Sequence, residues 1–420
     1  MERQTKQNAK QKARQKMELI MKKVLPVLFA ALILATMAAS CSKAQQTNNA
    51  NAGAAGAPKE DEAQGAPGAD GAQGAPKEDG GTGTPEADGA QGTPDSDDTY
   101  MYTDSAGREV MLPRNIERIA PSGAAAQLVL FTLCPEKLAG FSMAFTDEQF
   151  DYIDVKYKTL PVFGSFYSET LNLESVMVAN PQVIIDVGEF KPGIADDMDG
   201  LQERTGIPAI FIHMDMLTIA AAYETLGEVT GATGQAQEIT GYIRKTLSEP
   251  EDMLRAIPES ERAKVYYGDG DGLNAMVRGT VHTDVIDIAG GHNIAEIEES
   301  MRGGAAIVSL EQLMLWDPDV ILFSPESIYD EVASLPEWQG INAVKTGRYY
   351  EIPAMPYNWM GRPASVNRIL GIKWLSNLLY PDVFGYDMVR EVRDFCRLFY
   401  HCELTDAQIE ALLAKSTFKR

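Results

Sequence analysis

Apolar and polar positions repeat once over a long stretch of this chain. Asn172 to Ile185 reads Asn-Leu-Glu-Ser-Val-Met-Val-Ala-Asn-Pro-Gln-Val-Ile-Ile, and Ser309 to Leu322 reads Ser-Leu-Glu-Gln-Leu-Met-Leu-Trp-Asp-Pro-Asp-Val-Ile-Leu. In each copy a polar capping residue and a Glu precede apolar positions at helical spacing (Leu173, Val176, Met177; Leu310, Leu313, Met314), which is how an amphipathic helix begins. Each copy then breaks at Asn-Pro or Asp-Pro and ends in an almost wholly apolar run, the mark of a strand covered on both faces of a parallel sheet. A helix–turn–strand unit that recurs once, 137 residues later, is too widely spaced for a solenoid and predicts two similar α/β lobes.

The same pattern orders the rest. Tyr102 to Pro113 predicts a β-hairpin around Asp104-Ser105-Ala106-Gly107. Arg118 to Ala120 enters a strand, Ser122-Gly123 caps a helix carrying Leu128, Val129 and Leu133, and Leu138 to Phe141 is a further short strand. Leu160 to Gly164 leads into a polar and aromatic loop, Ser165 to Thr170, and Ala209 to Ile212 closes the first lobe. From Thr218 to Ile257 the chain is helical, broken by Gly231 to Gly234 and disturbed at Pro250, so a stiff strut joins the lobes. Lys264 to Tyr267 opens the second lobe, His282 to Ala289 is a helix with Gly290 to Asn293 as its turn, and Ser365 to Leu379 is another helix. Asp387 to Tyr400 and Thr405 to Lys415 are closing helices, the last with a Thr405/Gln408 capping box.

Composition changes the picture at the front of the chain. The first 23 residues hold eight Lys or Arg against two acids, and an uncharged apolar stretch, Val24 to Met37, follows. It is short for a membrane span and ends in Ala38-Ala39-Ser40 before Cys41, the pattern of an export signal over residues 1–40. That junction resembles the bacterial lipoprotein processing site, which implies that Cys41 is lipidated and anchors the mature protein outside the cytoplasm. Residues 41–98 form an acidic Ala/Gly/Pro-rich tether with near-repeats ending at Pro67, Pro76 and Pro94, spanning on the order of 40 Å as a flexible coil.

Loss of the signal takes the formal charge from −23 to −29, which argues against nucleic acid and anionic lipid as partners. Cys134 sits in an apolar segment as a small core residue, whereas Cys396 and Cys402 are near enough in sequence either to bridge or to remain free. His213, His282, His292 and His401 show no helical pairing, so no metal site is expected. Asp269 to Asn274 departs from a calcium loop, with Asn274 where Gly is required and Thr280 at the twelfth position, and reads as a turn. Absence of a Gly-x-Ser-x-Gly elbow, His-Glu-x-x-His or phosphate loop makes an anchored extracellular enzyme the weaker class.

Taken in order, Asn-Leu-Glu with Asn-Pro-x-Val-Ile-Ile, Ala-Gly-Gly-x-Asn, Ser-Leu-Glu with Asp-Pro-Asp-Val-Ile, and Ala-Val-Lys-x-Gly-Arg-x-Tyr resemble the periplasmic binding proteins of iron-siderophore, haem and cobalamin ABC importers, over Thr99 to Tyr380. The resemblance implies two Rossmann-like lobes, residues 99–232 and 258–420, joined by one long helix, 233–257, with the ligand cleft between them. It implies a monomer that binds a small-molecule metal chelate, ferric in the leading reading and haem or cobalamin in the alternative, without a cofactor. The partners are then an ABC permease and its ATPase, and the Glu opening each repeated helix, Glu174 and Glu311, faces an Arg pocket on the permease. Helix-dipole placement alone would also explain an acid there. Ligands of open α/β lobes sit at the carboxyl ends of strands, which points to Tyr167, Glu189, Phe190, Arg278, Arg302, Tyr357, Trp359 and Arg362. Aromatic walls and Arg donors suit a bulky anionic chelate, and Trp359 and Arg362 lead this set.

Overall fold

The computed structural model describes residues 98–298, 304–361, 363–364 and 366–418. The export signal, Cys41, nearly all of the tether, Arg302 and Arg362 lie outside the described residues.

The predicted hairpin is present as β1 (Thr99–Thr103) and β2 (Glu109–Pro113), paired antiparallel. Asp104 closes its turn by accepting the Ala106 and Arg108 amides, and the Arg108 guanidinium returns to it at 2.9 Å. The first lobe follows as β3 (Ile119–Pro121), α1 (Ala124–Leu133), α2 (Leu173–Ala179), β4 (Val183–Gly188), α3 (Ile194–Thr205) and β5 (Ala209–His213). Strands β3, β4 and β5 are parallel neighbours in that order. The strand expected at Leu138 to Phe141 is reduced to single bridges, Ile119 with Leu138 and Phe141 with Val162. Packing helps explain this: the Gly140 Cα lies so near Phe163 and the Pro161 carbonyl that no side chain fits.

Two helices pass between the lobes, α4 (Ile219–Thr230) and α5 (Thr233–Met253). They meet most closely where a Cβ on Gly227 would lie 2.5 Å from the Ala236 Cβ, so glycine is required for the contact. Pro250 falls in the last turns of α5, and the helix ends four residues before the expected Ile257.

The second lobe contains β6 (Lys264–Asp269), β7 (Asn274–Met276), α6 (Asp284–Ile288), β8 (His292–Asn293), β9 (Ala305–Ile307), α7 (Leu310–Trp316), β10 (Val320–Phe323), α8 (Asn342–Lys345) and β11 (Tyr349–Glu351). Its sheet runs β11-β10-β6-β7-β9 with β8 on β6; β7 is antiparallel to both β6 and β9, and the other pairs are parallel. His292-Asn293, expected in a turn, is a short strand because Asn293 is buried and its amide bonds the Met276 carbonyl at 3.0 Å. The chain closes with α9 (Asn367–Leu379), α10 (Pro381–Phe384), α11 (Met388–Tyr400) and α12 (Asp406–Leu413), the last carrying the Thr405/Gln408 capping box.

One continuous core holds both lobes together. It takes Ile185 and Ile212 from the first sheet, Val265 and Leu322 from the second, Ile239 and Ile243 from α5, and Trp374 and Phe399 from α9 and α11. Smaller cores fill the opposite face of each sheet, around Phe211 and Met198 in one lobe and Phe323 and Trp338 in the other.

The repeat is realised almost atom for atom. Asn172 accepts the Ser175 amide at 3.0 Å and Ser309 accepts the Gln312 amide at 3.2 Å, capping α2 and α7. Both helices end at a left-handed residue before Pro, Asn180 at φ 49 and Asp317 at φ 46, and a buried strand starts three residues later.

Cys134 is buried, as expected. Cys396 and Cys402 are free thiols, with Cys402 Sγ 3.8 Å from the Cys396 carbonyl.

Candidate functional site

The carboxyl end of β4 is the best-defined part of the site. Within its apolar run, Asp186 is a single carboxylate, 3% exposed, and the chain surrounds it with donors. Ser122, just after β3, and Tyr167 both donate hydroxyl hydrogen bonds to it. Burial raises the Asp186 carboxyl above its ordinary range, opposed by Ser122, Tyr167, the Lys191 charge and the Val187 amide. The expected helix cap at Ser122-Gly123 is therefore different in detail: Gly123 takes the capping position without a side-chain bond, and Ser122 serves Asp186 instead.

Tyr167 owes its position to the loop before α2. Phe166 donates its amide to the Ser122 carbonyl at 2.8 Å, Thr170 returns to the Ser165 carbonyl at 3.1 Å, and Gly164 turns at φ 84 where a Cβ would strike the Thr170 carbonyl. The Tyr167 ring remains partly exposed, with Lys191 Nζ 3.4 Å from its centroid. One face of this loop borders a cavity of about 510 Å³ shared with Phe166, Glu169, Asp197 and Arg204.

Phe190 and Glu189 lie exposed just beyond β4. The Phe190 ring stacks on His213 at 4.5 Å, and His213 Nε2 lies 3.3 Å from Asp215 Oδ2. Despite burial, bonds from the Thr218 hydroxyl and amide and the Leu217 amide hold the Asp215 carboxyl below its ordinary value.

The second lobe meets this edge with Asp284 and Arg368. Burial raises the Asp284 carboxyl against the pull of Arg368, and Glu189 and Asp215 raise it further, so acids from the two lobes converge. Arg368, 2% exposed, donates to the Val281 carbonyl at 3.2 Å and to Asp284 at 3.3 Å; burial lowers its pKa. Its stem passes Gly361 so tightly that a Cβ there would come within 2.8 Å. His282 Nδ1 donates to the Gly361 carbonyl at 2.8 Å.

A separate cavity, about 380 Å³ and lined from both lobes, opens at the ends of β6 and β10, where Asp269 and Ser324 face Thr146 and Gln149 of the first lobe. Tyr357 lines it. Its buried hydroxyl lies near the Gln127 and Gln149 amides without a hydrogen bond of good geometry to either, and burial raises its pKa.

Two expected ligand residues are placed otherwise. Trp359 is 1% exposed, donates Nε1 to the Met355 carbonyl at 3.2 Å and packs edge-on to Trp374 at 6.3 Å, so it is core and presents no free ring face. Arg278 is held by Asp287 at 3.0 Å and Glu296 at 2.6 Å, which neutralise the donor fork expected for an anionic ligand. Tyr167, Glu189, Phe190 and Tyr357 do reach the carboxyl edges. Sequence reading missed Ser122, Asp186, Lys191, Asp215, Asp284 and Arg368. Two of these left a signal, Asp186 as the lone charge in an apolar strand and Arg368 as a charge near the start of a largely apolar helix.

Glu174 and Glu311 are exposed in the first turns of α2 and α7. The Glu311 carboxyl is held below its ordinary value by its own amide and the Ser309 hydroxyl. Among the described residues no three His, Cys, Asp or Glu side chains gather to hold a metal ion, and no helix is long and apolar enough to cross a membrane.

Comparison with known proteins agrees with this architecture. A solute-binding protein of an ABC transporter from Sulfurospirillum deleyianum matches with 27% identity and a TM-score of 0.68, over 75% of this chain and 99% of that one. A periplasmic solute-binding protein from Veillonella parvula matches with 26% identity and a TM-score of 0.63, over 76% and 98%. The molybdate-binding protein MolA of Haemophilus influenzae, at 19% identity and a TM-score of 0.60 over 73% and 99%, shares the fold. No curated protein matches the sequence. The family model for the periplasmic binding protein matches residues 135–356, more than half the chain. With two α/β lobes, a cavity lined from both at the strand ends and this match, the chain belongs to the periplasmic binding protein family.

Proposed function

We propose that this chain is the lipid-anchored receptor of an ABC importer, that it captures a ferric siderophore or a related metal chelate outside the cytoplasm, and that it delivers the chelate to a permease and its ATPase. The observation carrying the ligand class is the pair of exposed aromatic rings at the carboxyl end of β4, Tyr167 under Lys191 and Phe190 on His213. Flat apolar walls beside a cation suit a bulky chelate better than a bare ion. Arg302 and Arg362 complete this reading as donors to an anionic ligand, with haem and cobalamin as the alternatives. Cys41 carries the anchor, and the tether over residues 41–98 supplies reach.

Titration of the mature protein by intrinsic Trp fluorescence with ferric catecholate, ferric hydroxamate, haem, cobalamin and molybdate tests the ligand. Saturable binding of a ferric chelate, weakened at least tenfold by Phe190→Ala with Tyr167→Ala, is expected. Tight molybdate binding with no response to any chelate overturns it. Labelled-lipid incorporation that persists in Cys41→Ser removes the anchor assignment.

Glu174 and Glu311 are assigned to permease docking. Their joint reversal to Lys should block uptake and leave ligand affinity within about threefold of wild type, because one interfacial charge pair can contribute over about 1 kcal/mol. An affinity loss that tracks the uptake loss moves them into the cleft.

A further inference from the structure

The two repeated helices share more than their acids. From Leu173 to Ala179 and from Leu310 to Trp316 the order of exposed, half-buried and buried positions is identical residue by residue. At the seat of each helix a single side chain, Val176 or Leu313, is buried. One residue on, both copies expose a methionine, Met177 at 45% and Met314 at 38%, and then an aliphatic residue, Val178 at 81% and Leu315 at 79%. Isolated exposed apolar residues are ordinary on a protein surface. The same residue class at the same position of two separate elements, each four residues after an exposed Glu, is a surface built twice. Residues four apart share a helix face, so Glu174 lies beside Val178 and Glu311 beside Leu315.

Topology also places both faces together with the cleft rim. Each helix turns at Asn-Pro or Asp-Pro into a strand that leads back across the lobe, so the Glu at its start lies toward the carboxyl ends of β4 and β10. Resting on the docking reading above, we propose that the importer's two membrane subunits grip this chain through two equivalent footprints, Glu174 with Met177 and Val178, and Glu311 with Met314 and Leu315. Each subunit offers a cationic side chain next to an apolar seat. The acid steers and registers; the aliphatic side chain supplies the dry contact that gives residence time. Charge selects this occupant over others. A second copy of the chain meeting the same patch would set Glu against Glu, and an anionic lipid surface would be repelled by both.

The test uses the mature chain and its cognate permease–ATPase complex in nanodiscs, with binding followed by biolayer interferometry in the absence of ligand. Val178→Ser with Leu315→Ser should weaken binding at least tenfold, chiefly through faster dissociation, while the salt dependence stays that of wild type. Glu174→Gln with Glu311→Gln should weaken it with a flatter salt dependence. Urea midpoints of all variants are measured first, and Val178→Ala with Leu315→Ala, expected to lose about threefold, replaces the Ser pair if that pair is unstable. Wild-type affinity and dissociation in the aliphatic variants overturn the proposal while leaving the charge contact standing. Wild-type affinity in both the aliphatic and the Gln pairs instead removes the docking reading itself. Self-association by sedimentation, or binding to phosphatidylcholine–phosphatidylglycerol vesicles, that disappears in the Ser pair would also overturn it in favour of that occupant.

Discussion

Asp186 offers the sharpest test of how the cleft edge is held. It is a buried carboxylate with two hydroxyl donors of different standing: Ser122 is fully buried, whereas Tyr167 is partly exposed. A hydrogen bond to a charged group contributes about 1.5–3 kcal/mol, toward the upper end where no water can replace the donor. Ser122→Ala should therefore cost about 2–3 kcal/mol and Tyr167→Phe about 1 kcal/mol, since water reaches the vacated tyrosine position. The double variant leaves the carboxylate with the Val187 amide and the Lys191 charge, and should lose more than the two single effects together. The pH dependence gives the sign. Burial already raises the folded pKa of Asp186 above its ordinary 3.8, so ionising this group opposes folding as pH climbs from there through the folded value. Removing a donor to the carboxylate raises the folded value further. Each variant's deficit should thus be smallest at the acid end and grow as pH rises through the folded value of Asp186. Asp186→Asn should flatten that growth in the double variant. The assay is urea unfolding by Trp fluorescence at several pH values. A Ser122→Ala deficit below about 0.5 kcal/mol, or one constant from pH 4 to pH 8, would refute the view that these hydroxyls hold an ionising carboxylate.

Three further outcomes follow from the packing. Gly371→Ala should destabilise by about 3 kcal/mol in urea unfolding, because the new methyl runs into the Trp359 carbonyl, a backbone atom that has no rotamer to escape by. Thr405→Ala should cost about 1 kcal/mol by removing the reciprocal Thr405/Gln408 cap of α12, read as a lower thermal midpoint. Under reducing conditions Cys402 should react first with iodoacetamide, since its neighbour Cys396 holds its thiol below the ordinary pKa, while Cys402 and then burial raise Cys396 and burial raises Cys134; mass mapping that finds Cys134 labelled first contradicts this.

What was legible in the sequence is what local rules decide. The repeat, the hairpin, the strands β4, β5, β6 and β10 and the cap of α12 all rest on capping residues, a Pro after a helix and apolar runs, each read within a dozen residues. The site was legible in outline only, because strand ends point to loops and not to side-chain partners. Trp359 lies on such a loop, and its burial depends on Trp374 and Gly371, which come from a helix that follows. Arg278 looks like a free donor until Asp287 and Glu296 fold back on it from α6 and the segment after β8. Arg368 was passed over for the opposite reason: it stands in an apolar helix, and only the fold brings Val281 and Asp284 to its guanidinium.

The repeated unit separates what a fold demands from what it merely permits. Its two copies differ at the buried position, Val176 against Leu313, and at two of the three half-buried ones, Ser175 against Gln312 and Ala179 against Trp316, yet each position has the same exposure class in both. Helix period and the turn before the strand fix which positions are inside, and the residue placed there only adjusts volume to its own lobe. At the second position the helix dipole favours an acid, and at the fifth Met314 lies against Gly340, but no packing contact calls for an aliphatic residue at the sixth, which is exposed in both copies. At Val178 β-branching lowers helix propensity, and at both Val178 and Leu315 the exposed apolar area brings no burial gain to the folded chain. Their presence twice, in step with the acids, is what the two-footprint proposal accounts for, and wild-type permease binding by the Val178→Ser, Leu315→Ser pair would remove that account.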